Sequence, residues 1–249
     1  MLHRAARHVC AASVLLVLAC AMGSGCADGG GFFKREYEYE EELYLSLDGS
    51  ARLNVNASIA SLVALHGANF NPDPRARIDR NDLRAFFGGP DARVSVSLSR
   101  RDGRRFAHAS IEVDDVQELS RLRPFAWSNY HVGRRGDVIE FRQTVGPSSH
   151  GGHGRGDWTG EELVAFRMHL PSEIAFHNAP SGRIERGNIL EWNQRLAERL
   201  DGTPLELRVQ FGTTSILAHT MLLFGSAMAA AIATLAGVIW WMSRRGREA

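Results

Sequence analysis

Apolar and polar positions divide the chain into three zones. One apolar run lies near the N-terminus, Val9 to Leu18, and a longer one near the C-terminus, Met221 to Trp241. Between them, from about Ala27 to Thr214, apolar residues recur at short intervals among polar ones. Tyr37, Tyr39, Leu43, Leu45 and Leu47 share one parity, and after Asp48-Gly49 the alternation resumes as Ala51, Leu53, Val55, Ala57 and Ile59. A period of two on both sides of Asp-Gly predicts a β-hairpin. A short apolar helix follows over Ala60 to His66, and Asp79 is placed to cap a second helix from Arg80 to Phe87 that Gly88-Gly89-Pro90 ends.

The same pattern predicts a second hairpin, Val94 to Leu98 with Phe106 to Val113, and a helix capped by Asp114 or Asp115 that runs to Leu122. A third hairpin joins Trp127–Val132 to Val138–Val145 across Arg135-Gly136. Further strands are expected at Leu163–Leu170, Ile174–His177, Ile189–Trp192 and Leu205–Phe211, with a short helix over Gln194 to Leu200. The fold class is α+β, a largely antiparallel sheet with a few short helices on one face. One C-terminal transmembrane helix follows it.

The two apolar runs fix topology. Arg4 and Arg7, the run to Leu18 and the small residues through Ala27 form the three-part layout of a secretory signal over residues 1–26. Cys20 and Cys26 each stand where a lipoprotein signal carries its lipidated cysteine, with ordinary cleavage after Ala21 or Ala27 as the alternative. The run from Met221 to Trp241 carries no charge, and its 21 residues extend about 31 Å as a helix, close to the hydrocarbon thickness of a bilayer. Trp240 and Trp241 sit at the level of an aromatic belt, and Arg244, Arg245 and Arg247 supply the flank that stays inside. The expected order is a signal (1–26), an extracytoplasmic domain (27–214), a span (215–242) and a short basic cytoplasmic tail (243–249). The protein is thus expected in the cell membrane as a single-pass protein. Within the span, Gly225, Ala229, Ala233 and Gly237 recur every fourth residue, a stripe that lets two helices approach for self-association.

Composition narrows the function classes. The chain has 29 basic and 28 acidic residues; setting aside the five basic and one acidic residue outside the middle zone leaves 24 and 27. A slightly acidic domain has no electrostatic reason to bind nucleic acid. All three cysteines lie at or before position 26, so the domain has no disulfide framework and no thiolate chemistry. His150, His153 and Asp157 fall in a glycine-rich segment from Gly146 to Trp158, without a third ligand at fixed spacing, so a solvated loop is expected and no metal or other cofactor. Arg135-Gly136-Asp137 and Arg155-Gly156-Asp157 are read as ordinary turns. An enzyme would need His108, His131, His169 or His177 to meet carboxylates such as Glu112, Asp137 or Glu173, and no nucleophile elbow, metalloprotease helix or phosphate loop is present. The expectation is a binding protein and not an enzyme. Its candidate ligand-binding residues are the aromatics Phe125, Trp127, Tyr130, Trp158 and Trp192, which would line an apolar groove for an acyl chain or glycolipid. The competing reading of each is core packing. A structural or assembly module acting through protein contacts is the alternative function.

The layout resembles the LppM-domain proteins of the bacterial envelope, known best from mycobacteria. The resemblance rests on the leader ending at Cys20 or Cys26, the hairpin turn Leu47-Asp48-Gly49-Ser50, the segment Gly187-Asn188-Ile189-Leu190-Glu191-Trp192 before the final strand, and the single C-terminal span with its arginine-rich end. It implies an α/β envelope module that binds lipid or glycolipid, with no catalytic residues to carry over.

Overall fold

The computed structural model describes residues 37–148 and 158–245. The signal region, with Cys20 and Cys26, and the segment holding His150, His153 and Asp157 lie outside the described residues. The first hairpin forms as its alternation predicts, from β1 (Tyr37–Leu45) and β2 (Ala51–Ser58). Its turn closes through Ser46 N–H to Ser50 C=O at 2.9 Å, and Gly49 takes φ +90°, a conformation that side-chain-bearing residues avoid.

Helix α1 (Ile59–His66) starts where the Ser58 hydroxyl accepts from Ser61 N–H and ends at Gly67, whose φ of 59° is the left-handed cap. Helix α2 (Arg80–Phe87) has its predicted bounds and its predicted cap, Asp79. Strands β3 (Arg93–Arg101) and β4 (Arg104–Val113) form the second hairpin. The segment after Asp115 is a 3-10 turn, Val116–Arg121, not an α-helix, and a second 3-10 turn spans Arg123–Phe125. Strand β5 (Ser128–Arg135) therefore begins one residue after Trp127 and pairs with β6 (Val138–Val145). The remaining strands are β7 (Leu163–His169), β8 (Ser172–His177), β9 (Ile189–Arg195) and β10 (Leu205–Ser215). β9 continues to Arg195 in register with β7, so helix α3 keeps only Leu196–Leu200 of its expected span.

The strands form two sheets rather than one. The larger has the order β3-β4-β2-β1-β7-β9, and the smaller β5-β6-β10-β8. Every pairing is antiparallel except β1 with β7, whose partners run from Tyr37↔Leu163 to Tyr44↔His169. Inner-face residues of both sheets, with α1, α2 and the 3-10 turns, make one apolar core that contains Leu43, Leu53, Ile111, Phe166, Phe141 and Phe211. β10 passes without a linker into helix α4 (Ile216–Arg245), in which Thr220–Arg245 is long and apolar enough to cross a membrane.

Candidate functional site

Strand alternation gives the larger sheet two faces of different chemistry. Tyr39, Glu41, Leu43 and Leu45 of β1 point into the core, whereas Glu40, Glu42 and Tyr44 point outward and are half-buried. Register continues the outward set across the sheet. Ser110, Asn54, Glu42, Arg167 and Glu191 lie in one row over β4, β2, β1, β7 and β9. His108, Asn56 and Glu40 lie in the next.

These side chains bond to one another across all six strands. Ser99 Oγ on β3 lies 2.6 Å from His108 Nε2, and His108 Nδ1 lies 2.6 Å from Asn56 Oδ1. Asn56 donates to Glu40 at 3.1 Å. Arg167 pairs with Glu40 at 2.7 Å and with Glu191 at 2.8 Å, and Tyr37 donates to Glu191 at 3.0 Å. At one end of the face His169 Nε2 lies 2.7 Å from Glu42, and its ring stacks on Tyr44 at 4.1 Å. The hydrogen bond from His169 holds the Glu42 carboxyl below its ordinary value, so it is ionised at neutral pH. Burial pushes the His108 imidazole down, with the Arg101 charge acting in the same direction, and it stays neutral there. Over β1 to β4 the face dips into a depression of about 270 Å³ lined by Glu42, Asn54, Asn56, Ser95, Ser97 and His108. It offers hydroxyls, carboxamides, an imidazole and one carboxylate, a set suited to a ligand rich in hydroxyl or amide groups.

A second polar cluster is sealed between the sheets. Glu41 is 2% exposed and accepts from the Tyr39 hydroxyl at 2.6 Å and from Gln143 of β6 at 3.4 Å. The Trp127 indole N–H and the Tyr130 hydroxyl also aim at this carboxylate, without closing to hydrogen-bond geometry. Burial pushes Glu41 up to about 7 against these donors, and burial also raises the Tyr39 and Tyr130 hydroxyls. Arg199 of α3, fully buried, donates to Gln194 at 3.1 Å and to the Gly146 carbonyl, with its guanidinium 5.2 Å from the centre of the Trp127 ring.

The aromatics named from sequence converge on the core rather than on a groove. Phe125, Trp127, Tyr130 and Trp192 are buried. Trp192 donates to Asn178 at 3.1 Å, and Trp127 packs edge-on against Tyr39 and His66. Trp158 is partly buried and donates to Glu38 at 3.4 Å. The structure places Glu112 on Arg93 at 3.3 Å and His177 Nδ1 as acceptor from Ala179 N–H, while His131, Asp137 and Glu173 are exposed. Of His108, His131, His169 and His177, His169 is the one paired with a carboxylate, Glu42. Among the described residues no group of three or more His, Cys, Asp or Glu is arranged to hold a metal ion.

The sequence singles out His108 and His169 of the outward cluster and Trp127 and Tyr130 of the inward one, but not Glu40, Glu42, Asn56, Glu41 and Gln143, which join them. The outward one was legible as the second parity of β1, β2 and β4. The inward one announces itself in Glu41 and Gln143, polar residues on strand positions whose neighbours two residues away, Tyr39 and Leu43, and Phe141 and Val145, are apolar.

No family model and no curated protein matches the chain. Among solved structures it is similar to the folded domain of Mycobacterium tuberculosis LppM, determined by NMR, with 14% identity and a TM-score of 0.41 over 75% of this chain and 96% of that one. That neighbour is of the LppM type that the sequence layout resembles.

Proposed function

We propose that the protein is a non-catalytic binding module of the cell envelope, anchored by α4 with its domain outside the cytoplasmic membrane. Its ligand is the hydroxyl-rich polar part of a lipid-like or glycolipid envelope molecule, taken on the outer face of the six-stranded sheet. The observation that carries this reading is the depression over β1 to β4, whose lining contains no guanidinium or ammonium group and is dominated by neutral hydrogen-bonding side chains. Such a lining matches hydroxyl groups, which donate and accept, better than it matches a phosphate. The aromatic residues support the ligand site only from beneath, as the packing that keeps the sheet rigid.

The test is native mass spectrometry of the full chain, recovered from bacterial membranes in lipid nanodiscs. A discrete adduct of the mass of one lipid or glycolipid, lost in Asn54→Leu, is the expected result. A chain that stays unliganded after incubation with envelope lipids contradicts it.

A second reading, a structural module acting through protein contacts, draws on a different observation. β8 is an edge strand of the smaller sheet and leaves Phe176 48% exposed. Pairing of α4 through Gly225, Ala229, Ala233 and Gly237 belongs to this reading.

A further inference from the structure

The junction between β10 and α4 is clasped by the turn that joins β7 to β8. Ile216 N–H, the first of the helix, donates to the Pro171 carbonyl at 3.1 Å, and Ser172 Oγ donates to the Thr214 carbonyl at 2.7 Å. Asn188 Nδ2 in turn donates to the Ser172 carbonyl at 2.7 Å. A Cβ at Gly212 would meet Ser172 Oγ at 2.9 Å, so the two segments touch closely. The parallel strands β1 and β7 end together at this level, which brings the β1–β2 turn beside Pro171. Leu45, Ser46, Leu47, Asp48, Pro171 and Ser215 there line a depression of about 320 Å³.

Its height above the membrane follows from the chain. The uncharged apolar stretch of α4 starts between Ile216 and Met221, so Ile216 stands at most five helical steps, about 7.5 Å, above the hydrocarbon. The headgroup layer on each side of a bilayer is roughly 5–7 Å deep, from the difference between total and hydrocarbon thickness. Tilting the helix only lowers Ser215 further.

We propose that this depression is a membrane-contact site, in which the β1–β2 turn and Pro171 rest in the phospholipid headgroup layer of the bilayer that α4 spans. Leu47 meets the upper acyl region, and Ser46 and Ser215 meet the glycerol and phosphate oxygens. The contact fixes the domain's orientation, so the outer face of the six-stranded sheet is presented at a set angle to the membrane. This inference depends on the span alone and stands apart from what the outer face binds.

The test is photo-crosslinking of the full chain in nanodiscs of phosphatidylethanolamine and phosphatidylglycerol, with p-benzoylphenylalanine placed at Leu47, Asp48 or Asp201 in separate variants. Asp201 precedes β10, whose ten residue steps carry the chain about 33 Å from that end. Leu47→p-benzoylphenylalanine and Asp48→p-benzoylphenylalanine are expected to gain the mass of one phospholipid on irradiation, at least tenfold above Asp201→p-benzoylphenylalanine. Asp48 is exposed, so its variant keeps the test decisive where the Leu47 variant folds poorly. Adducts no more frequent than at Asp201, or a covalent dimer of the chain in place of a lipid adduct, would overturn the proposal.

Discussion

The Tyr39 hydroxyl donates to the Glu41 carboxylate at 2.6 Å inside the seam between the sheets, two residues along one strand and with both side chains out of solvent. The pair places an acid where an apolar residue would pack at lower cost. Burial pushes Glu41 from 4.5 to about 7, so the folded state holds this proton more tightly than the unfolded chain does.

That sign sets a pH dependence. The Glu41 contribution to stability is complete below about pH 4.5 and is lost as pH rises through about 7. The loss is about 3 kcal/mol, at about 1.4 kcal/mol for each tenfold difference in proton affinity between the folded and unfolded chain. Glu42, Glu162 and Glu191 are held low in the folded state and act in the opposite direction, so the comparison with Glu41→Gln isolates the effect. In thermal unfolding of the full chain in nanodiscs, Glu41→Gln gains on the wild type by roughly 6–12 °C between pH 4.5 and pH 8. A difference that does not change with pH contradicts the assignment.

Trp192 tests whether the aromatics are core. Its ring is buried opposite Phe166, and its N–H is bonded to Asn178. Trp192→Ala removes packing worth about 3–5 kcal/mol. The unfolding midpoint falls by roughly 6–20 °C for a domain of this size. A midpoint within 2 °C of wild type would mean that Trp192 faces a space able to admit a ligand.

The ends of α1 give a smaller and additive effect. Ser58→Ala removes the acceptor for Ser61 N–H, and Gly67→Ala puts a Cβ on a residue at φ 59°. Each costs about 1 kcal/mol. The caps are about 13.5 Å apart along the helix, so the double variant sums the two within about 0.5 kcal/mol. Unchanged midpoints in both single variants would mean that α1 is held by packing alone.

Elements were more legible than their assembly. Asp48-Gly49, Asp79 and Gly88 carry local turn and cap chemistry, and the hairpin and helix they bound appear with nearly the expected limits. The parallel pairing of β1 with β7 joins Tyr44 to His169, far apart in the chain, and no local pattern encodes it. The smaller sheet rests on a pairing as distant, β6 with β10, and was hidden for the same reason. Aromatic content alone does not distinguish a core from a groove, because the partner sheet decides which rings are covered. Glu41 was legible in principle, as a charge on the apolar parity of β1.

The proposed recognition takes place on the outer polar face and not among the buried aromatics. The most direct measurement is ligand occupancy by native mass spectrometry in two variants of the full chain, Ser97→Trp, which fills the depression from the exposed edge strand, and Phe125→Leu, which thins the core. Ser97→Trp is expected to abolish the adduct with an unchanged unfolding midpoint, while Phe125→Leu lowers the midpoint and keeps the adduct. Occupancy retained in Ser97→Trp and lost in Phe125→Leu would contradict it.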